Sequence, residues 1–276
     1  MRRCDRLFHQ TNRRRRSFLD CVRPMFMFCS IISWPLLSRR PSLPALALGT
    51  RRWICVGESL ALMMANDVGP ERALIFRITH RDNLTWILQH GLHCRGSQVR
   101  DPNFVPIGNQ ELIDRRRAHP VRCRLGGTLS DYVPFYFTPH SPMFYNINTG
   151  YRNIAKRNNE EIAIIVSSIP HLRKNGVPFV FTDRHAVLNT AQIFDDERYL
   201  DQLDWDILRQ RDFRRDPEDP TKVERYEAEA LIHKHLPISG LLGLACYDDT
   251  AKRTIGALAE KCGVNIKIAI KATWYF

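Results

Sequence analysis

Organised hydrophobic patterning begins only near Ala73, and that boundary confines whatever folds in this 276-residue chain to roughly its last two hundred residues. Ahead of it, residues 1–70 hold twelve arginines, no lysine and four acids (Asp5, Asp20, Glu58, Asp67), so they carry +8 of the formal net charge of +12. An apolar stretch from Pro24 to Leu37 is broken by Pro35 and closed by Arg39 and Arg40, and SLPALALG follows. No caps or sustained periodicity mark elements there. Three readings compete for this segment. It is a secretory or twin-arginine export signal (Arg15-Arg16-Ser17-Phe18-Leu19, with Ala45-Leu46-Ala47 as a small-residue site). It is a basic disordered arm for nucleic acid. Or it is not native protein, the true start lying further on at Met63, Met64 or nearby, which the late onset of organised sequence favours. The remaining chain carries only +4, too little to argue for nucleic acid by itself. No apolar run approaches the ~20 residues of a spanning helix, which excludes a polytopic membrane protein.

From Ala73 onward the elements are mixed. Ala73–Ile78 and Val177–Thr182 read as strands, and Ile162–Ser167 (IAIIVS) as a strand buried on both faces. Leu84, Ile87, Leu88 and Leu92 form the stripe of a buried helix, capped by Asp82 or Asn83 and ended by Gly91. Cys94–Asp131 is loop-rich. The aromatic strand Tyr132–Phe137 holds Pro134, which points to an edge or a bulge. An acidic helix is expected over Asp195–Leu208, a charged loop over Asp212–Thr221, a helix over Thr250–Cys262 and a last strand over Val264–Ile270. Strands and helices without βαβ regularity predict an α+β fold with a mixed central sheet.

No Walker loop, GxGxxG turn, HExxH helix or GxSxG elbow is present, so any chemistry comes from dispersed residues. The cysteines of the body (Cys94, Cys123, Cys246, Cys262) form no C-x-x-C pair, which argues against zinc and for reduced thiols in a cytoplasmic protein. His80, at a strand end beside a helix start, can donate to a sugar hydroxyl or amide, or is simply a surface histidine. Arg115-Arg116-Arg117 can clamp a pyrophosphate, or is a solvated loop face. Glu227 and Glu229, on one strand, would share a face and meet a developing oxocarbenium ion, or are charges at a strand start.

The ordered series RITHRDNL, IGNQELIDRR, GGTLSDYVPFYFTPHSPMFY, VFTDRHA, AEALIHKHLP and a terminal WYF resembles the DarT family of DNA ADP-ribosyltransferase toxins. The resemblance spans Leu74–Phe276, with the YVPFYF block, SPM and the following Tyr its most specific part, and leaves residues 1–70 uncovered. It implies the diphtheria-toxin and PARP-like ADP-ribosyltransferase fold, a split mixed sheet with flanking helices, over 71–276. It implies NAD as co-substrate without a metal, transfer of ADP-ribose to thymine in single-stranded DNA, and a macrodomain antitoxin resembling DarG as partner, with no membrane. The family's catalytic glutamate falls on Glu229 and its arginine within Arg115–Arg116. His80 and Asn83 match the NAD-contacting start, Tyr132 and Tyr136 the nicotinamide side, and His185 the DNA side. Arg214, Arg215 and Arg225, ahead of Glu229, are expected to read the DNA strand. Two positions depart from the family: His140 stands where Arg is frequent, which would weaken a DNA or phosphate contact, and Ala230 where Phe is usual, which implies a repacked core. Two other functions fit parts of the pattern. The Glu227-x-Glu229 spacing resembles transferases that modify protein arginine, and the basic amino-terminal segment suits a non-catalytic DNA-binding module.

Overall fold

The computed structural model describes residues 68–276 apart from 152 and 153. Nearly all of the 1–70 segment, with its competing readings, therefore lies outside the described residues. In chain order the elements are β1 (Leu74–His80), α1 (Leu84–His90), β2 (Leu92–His93), α2 (Gln110–Ala118), β3 (Tyr132–Tyr136), α3 (Pro142–Thr149), β4 (Ile162–Ser168), α4 (Ile169–Lys174), β5 (Phe179–Thr182), β6 (Ile193–Phe194), α5 (Trp205–Gln210), α6 (Lys222–Tyr226), β7 (Glu229–His233), β8 (His235–Leu236), β9 (Gly243–Cys246), α7 (Asp249–Lys261) and β10 (Ile268–Ile270). Eight strands form one sheet in the order β10-β9-β4-β1-β3-β7-β5-β6, and β2 pairs with β8 separately. Only β9 and β10 run parallel, so the sheet is mixed, as expected.

Strand alternation sorts the core onto two faces. Ile75 of β1 and Ala163 and Ile165 of β4 point to one side, where Leu84, Ile87 and Leu88 of α1 and Ile255 and Ala259 of α7 cover them. Leu74, Phe76 and Ile78 with Ile162, Ile164 and Val166 point to the other, under Phe144 and Ile147 of α3 and the terminal Trp274 and Tyr275. Tyr275 donates its hydroxyl to the carbonyls of Ile162 and Ala245, pinning the chain end across two strands.

The sheet is zipped unevenly. β1 pairs with β4 through all seven of its residues, but with β3 only at Phe76↔Tyr136. Beyond that pair the strands fork, and Pro134 sits on the open side, where its missing N–H costs no ladder bond. Pro134 thus marks an edge inside an eight-stranded sheet.

Several sequence expectations need correction. The loop-rich stretch contains α2, whose residues are all at least partly exposed, so no apolar stripe betrays it. It is capped by Asn109, whose side chain accepts from Leu112 N at 3.1 Å. Asn83 does not cap α1; a 3-10 turn intervenes, and His80 Nδ1 accepts from Asp82 N at 3.3 Å. The acidic helix divides into a 3-10 segment (Glu197–Gln202) and α5, because Asp204 starts a new helix by accepting from Ile207 N. The last strand is only Ile268–Ile270. Glu227 lies at the end of α6, outside β7, so strand alternation does not place it on one face with Glu229.

Candidate active site

β7 opens with Glu229, fully buried and opposite Tyr136 of β3. The neighbouring β5 ends at Thr182, and its register (Phe181↔Ala230) brings the following turn against the carboxylate. Thr182 Oγ1 accepts from Glu229 N at 3.2 Å, and Ala186 N donates to Oε1 at 3.1 Å. His185 Nδ1 lies 3.1 Å from the same oxygen. That nitrogen is also 3.4 Å from Val187 N, which would need it to be an acceptor. One nitrogen cannot serve both at once, and the shorter, charge-assisted contact assigns the proton to Nδ1.

Arg116 completes the cluster from α2. Its Nη1 donates to both carboxylate oxygens, at 3.0 and 2.8 Å. Helical phase resolves the arginine pair: Arg116 turns inward, while Arg115 and Arg117 face solvent. Burial opposes ionisation of Glu229, but Arg116, His185 and Ala186 N together outweigh it and hold the carboxyl at about 2. Burial also works against a charged His185, yet Glu229 raises its pKa above the ordinary histidine value. Oε1 thus accepts from three groups and Oε2 from Arg116 alone, which leaves Oε2 with capacity for a further hydroxyl.

A cavity of about 370 Å³ opens in the fork between β1 and β3. Arg77, Ile78 and Thr79 line it from one strand, Tyr132 to Pro134 and Tyr136 from the other, and Arg116 and Glu229 sit in its wall. Its charged groups are Arg77, Arg95, Arg100 and Arg116 against Asp101 and Glu229, a positive surplus. Arg77 was missed as a site residue. It donates Nη1 to Pro134 O at 2.8 Å and so spans the fork. Burial and then Arg116 bring its pKa down to about 10, while Tyr136 and Glu229 pull the other way. Among the described residues its buried Nε and the buried Nη2 of Arg116 have no partner. A charged residue inside the apolar run LIFRITH was the signal that could have found it.

The other expected site residues divide. Tyr132 and Tyr136 line the cavity, and burial keeps both phenols protonated. Tyr132 Oη donates to Gly126 O at 2.7 Å. His80 and Asn83 stand behind the wall, not in it. With Nδ1 accepting from Asp82 N, His80 turns Nε2 toward Glu161 Oε1, 3.5 Å away. Asn83 is spent on Val105, accepting from its N–H at 2.8 Å and donating to its carbonyl at 2.9 Å, which fixes the cavity-lining segment around Phe104–Gly108. Arg214 is exposed but paired with Asp212, Arg215 is exposed, and Arg225 is held by Asp204 and Asp219 as a brace of the loop. His140 is buried, with Nε2 2.8 Å from Thr273 O and its pKa lowered to about 4, chiefly by burial, so it faces the core and not a phosphate. Ala230 lies between Phe135 and Phe181, which fill the space beside it.

A strand-borne carboxylate at the floor of a forked mixed sheet, braced by a guanidinium, defines an ADP-ribosyltransferase fold and site. Solved structures of the same architecture include those of Thermus sp. 2.9 DarT. The complex with ADP-ribosylated single-stranded DNA is matched at TM-score 0.69 and 33% identity over 75% of this chain and 98% of that one. The NAD+ complex is matched at TM-score 0.63 and 31% identity over 75% and 100%. A DNA ADP-ribosyl transferase of Escherichia coli O127:H6 is 50% identical over 210 residues, 76% of this chain and 96% of that protein. The family described as ssDNA thymidine ADP-ribosyltransferase, DarT, matches residues 76–276. The chain belongs to this DarT family of DNA ADP-ribosyltransferases.

Proposed function

We propose that the protein splits the nicotinamide–ribose bond of NAD+ and moves ADP-ribose onto a thymine base of single-stranded DNA, as the toxin of a cytoplasmic pair whose antitoxin carries a macrodomain. The observation that carries this reading is the Arg116–Glu229 pair in the wall of one cavity, with His185 against the carboxylate from outside that wall. The residues suit a dinucleotide. The cavity volume falls in the range of cofactor sites, the wall has surplus positive charge for a pyrophosphate, and two buried guanidinium N–H groups there lack protein partners. The acceptor is supported by family membership and by the Thermus neighbour bound to ADP-ribosylated single-stranded DNA. The toxin role and the macrodomain partner follow from the family resemblance.

In the transfer the ribose C1′–nicotinamide bond breaks, nicotinamide leaves with the electron pair, and a base nitrogen bonds to C1′ as its proton passes to solvent water. Positive charge grows on the ribose meanwhile. Glu229 serves as an anion, not a base, since a carboxyl held at about 2 is a poor proton acceptor at neutral pH. Its Oε2 is free to accept a ribose hydroxyl, and its charge stabilises the oxocarbenium-like state. Arg116 and His185 hold the carboxylate in one pose, and the unpartnered N–H groups of Arg77 and Arg116 would hold the pyrophosphate. With NAD+ and thymine-containing single strands, the wild type should yield a DNA adduct that Glu229→Ala cannot make. An adduct undiminished in that variant overturns the assignment. Label passing from NAD+ to protein in place of DNA would move the acceptor to protein.

A further inference from the structure

Tyr145, at the end of the PHSPMFY stretch, plays no part in the cavity or the cluster around Glu229. It is 41% exposed, and Phe276 is 38% exposed. Their rings meet edge to face at 5.5 Å, and Phe213 lies 5.8 Å from Tyr145 and 6.1 Å from Phe276. Three separate segments (α3, the loop after α5 and the last residue) thus build one aromatic surface, underlain by Phe144 and Tyr226 at 5.5 Å. A core needs no such exposure, because Phe144 and Tyr226 are already fully covered.

The neighbouring charge is positive. Arg211 is close enough to lower the pKa of both His140 and Tyr226, after burial in the first case and against it in the second. Arg211 and Arg215 are exposed and have no ion-pair partner among the described residues. Asp212, between them, is neutralised by Arg214 and Lys222, each within 2.9 Å. The surface is also near the chemistry. Tyr226 precedes Glu229 by three residues, so their Cα atoms are at most ~11 Å apart.

We propose that the Tyr145–Phe213–Phe276 surface carries acceptor-strand nucleotides beyond the immediate neighbours of the reacting base, with bases stacked on the rings and phosphates along Arg211 and Arg215. The proposal rests on DNA being the acceptor. Exposed rings flanked by unpaired arginines are the pattern by which single strands are held without base readout, and duplex bases could not reach them. Arg214 and Arg225, whose guanidinium groups are occupied by carboxylates, drop out of the strand path.

The test measures fluorescence anisotropy of thymine-containing strands of about four and about twelve nucleotides, the bottom and the upper part of the range of single-strand sites, and transfer to the short one. Tyr145→Ala should bind the long strand about tenfold more weakly, Tyr145→Phe should bind it as the wild type does, and both should modify the short strand at the wild-type rate. Arg211 has φ +56°, so Arg211→Asn removes the charge with a residue that tolerates this backbone. It should reduce the slope of log affinity against log salt by about one. Wild-type affinity of Tyr145→Ala for the long strand, or an equal loss on both strands, would overturn the proposal. Transfer to neither strand by the wild type would instead overturn the acceptor assignment, while the binding comparison still decides the surface.

Discussion

Removing Arg116 should expose how much of the fold's stability is tied to Glu229. The guanidinium side chain is 12% exposed and the carboxylate not at all, so the pair is a buried one. A carboxyl held at about 2 against an ordinary 4.5 is ~3 kcal/mol better off ionised in the folded chain than in the unfolded one. Because the folded pKa is depressed, that contribution is present above pH 4.5 and is lost as pH falls through 2. Arg116→Ala leaves a buried anion with only His185 and Ala186 N, and stranding a buried partner costs ~3–5 kcal/mol. The surviving contacts place this case near 3. In the variant, burial lifts the Glu229 pKa, so the carboxyl takes up a proton as the medium acidifies while the wild type stays ionised. The stability gap should therefore be widest at pH 7 and narrow steadily toward pH 3. Urea unfolding across that range measures it, with Arg115→Ala as a solvent-facing control expected within about 0.5 kcal/mol of the wild type. A gap below about 1 kcal/mol at pH 7, or one flat with pH, would refute the buried ion pair.

Three further outcomes follow from particular contacts. Glu229→Gln preserves shape but not charge, and single-turnover adduct formation should fall at least 10²–10³-fold; a rate within tenfold of the wild type would remove the anion from the mechanism. Asn83→Ala frees the Val105 backbone, so it should cost about 1–3 kcal/mol and raise KM for NAD+ more than it lowers kcat; unchanged KM would show that the cavity-lining segment does not rely on that clamp. Ala230→Phe intrudes between Phe135 and Phe181 and should cost about 1–3 kcal/mol, lowering Tm by several degrees; an unchanged Tm would mean the space was already there.

Much of the fold was legible because its strands are extreme. IAIIVSS is buried along its whole length, and no helix of that composition and length competes with it. α7 announces itself with an Asp cap, an apolar stripe and Gly263. α2 hid for the opposite reason. It buries no residue fully, so nothing in QELIDRRRA distinguishes a helix presenting one arginine inward from a solvated charge run. Glu229 and Arg116 stand 113 residues apart, and neither residue's own neighbourhood says that they meet. Family resemblance named the glutamate; only the rotation of α2 separates Arg116 from Arg115. Asn83 was expected among the cofactor contacts, but its amide is consumed by Val105, a pairing across 22 residues that no local pattern encodes.

The site's position follows from a failure to zip. Antiparallel pairing of β1 with β3 begins at Phe76↔Tyr136, and continued pairing would set Ile78 against Pro134. Proline has no N–H to give, so the ladder stops where the next bonds should form. Arg77 enters the opening and donates to the Pro134 carbonyl, the polar group that the missing strand contact leaves behind. The strands therefore stay apart from Ile78 onward, and the same residues that would have paired become the cavity wall. β7 stays zipped to β3 on the far side of the fork, which fixes Glu229 at the junction where the gap begins. One proline and one arginine, facing each other across an interrupted ladder, thus convert a continuous sheet into a cleft with a carboxylate at its root.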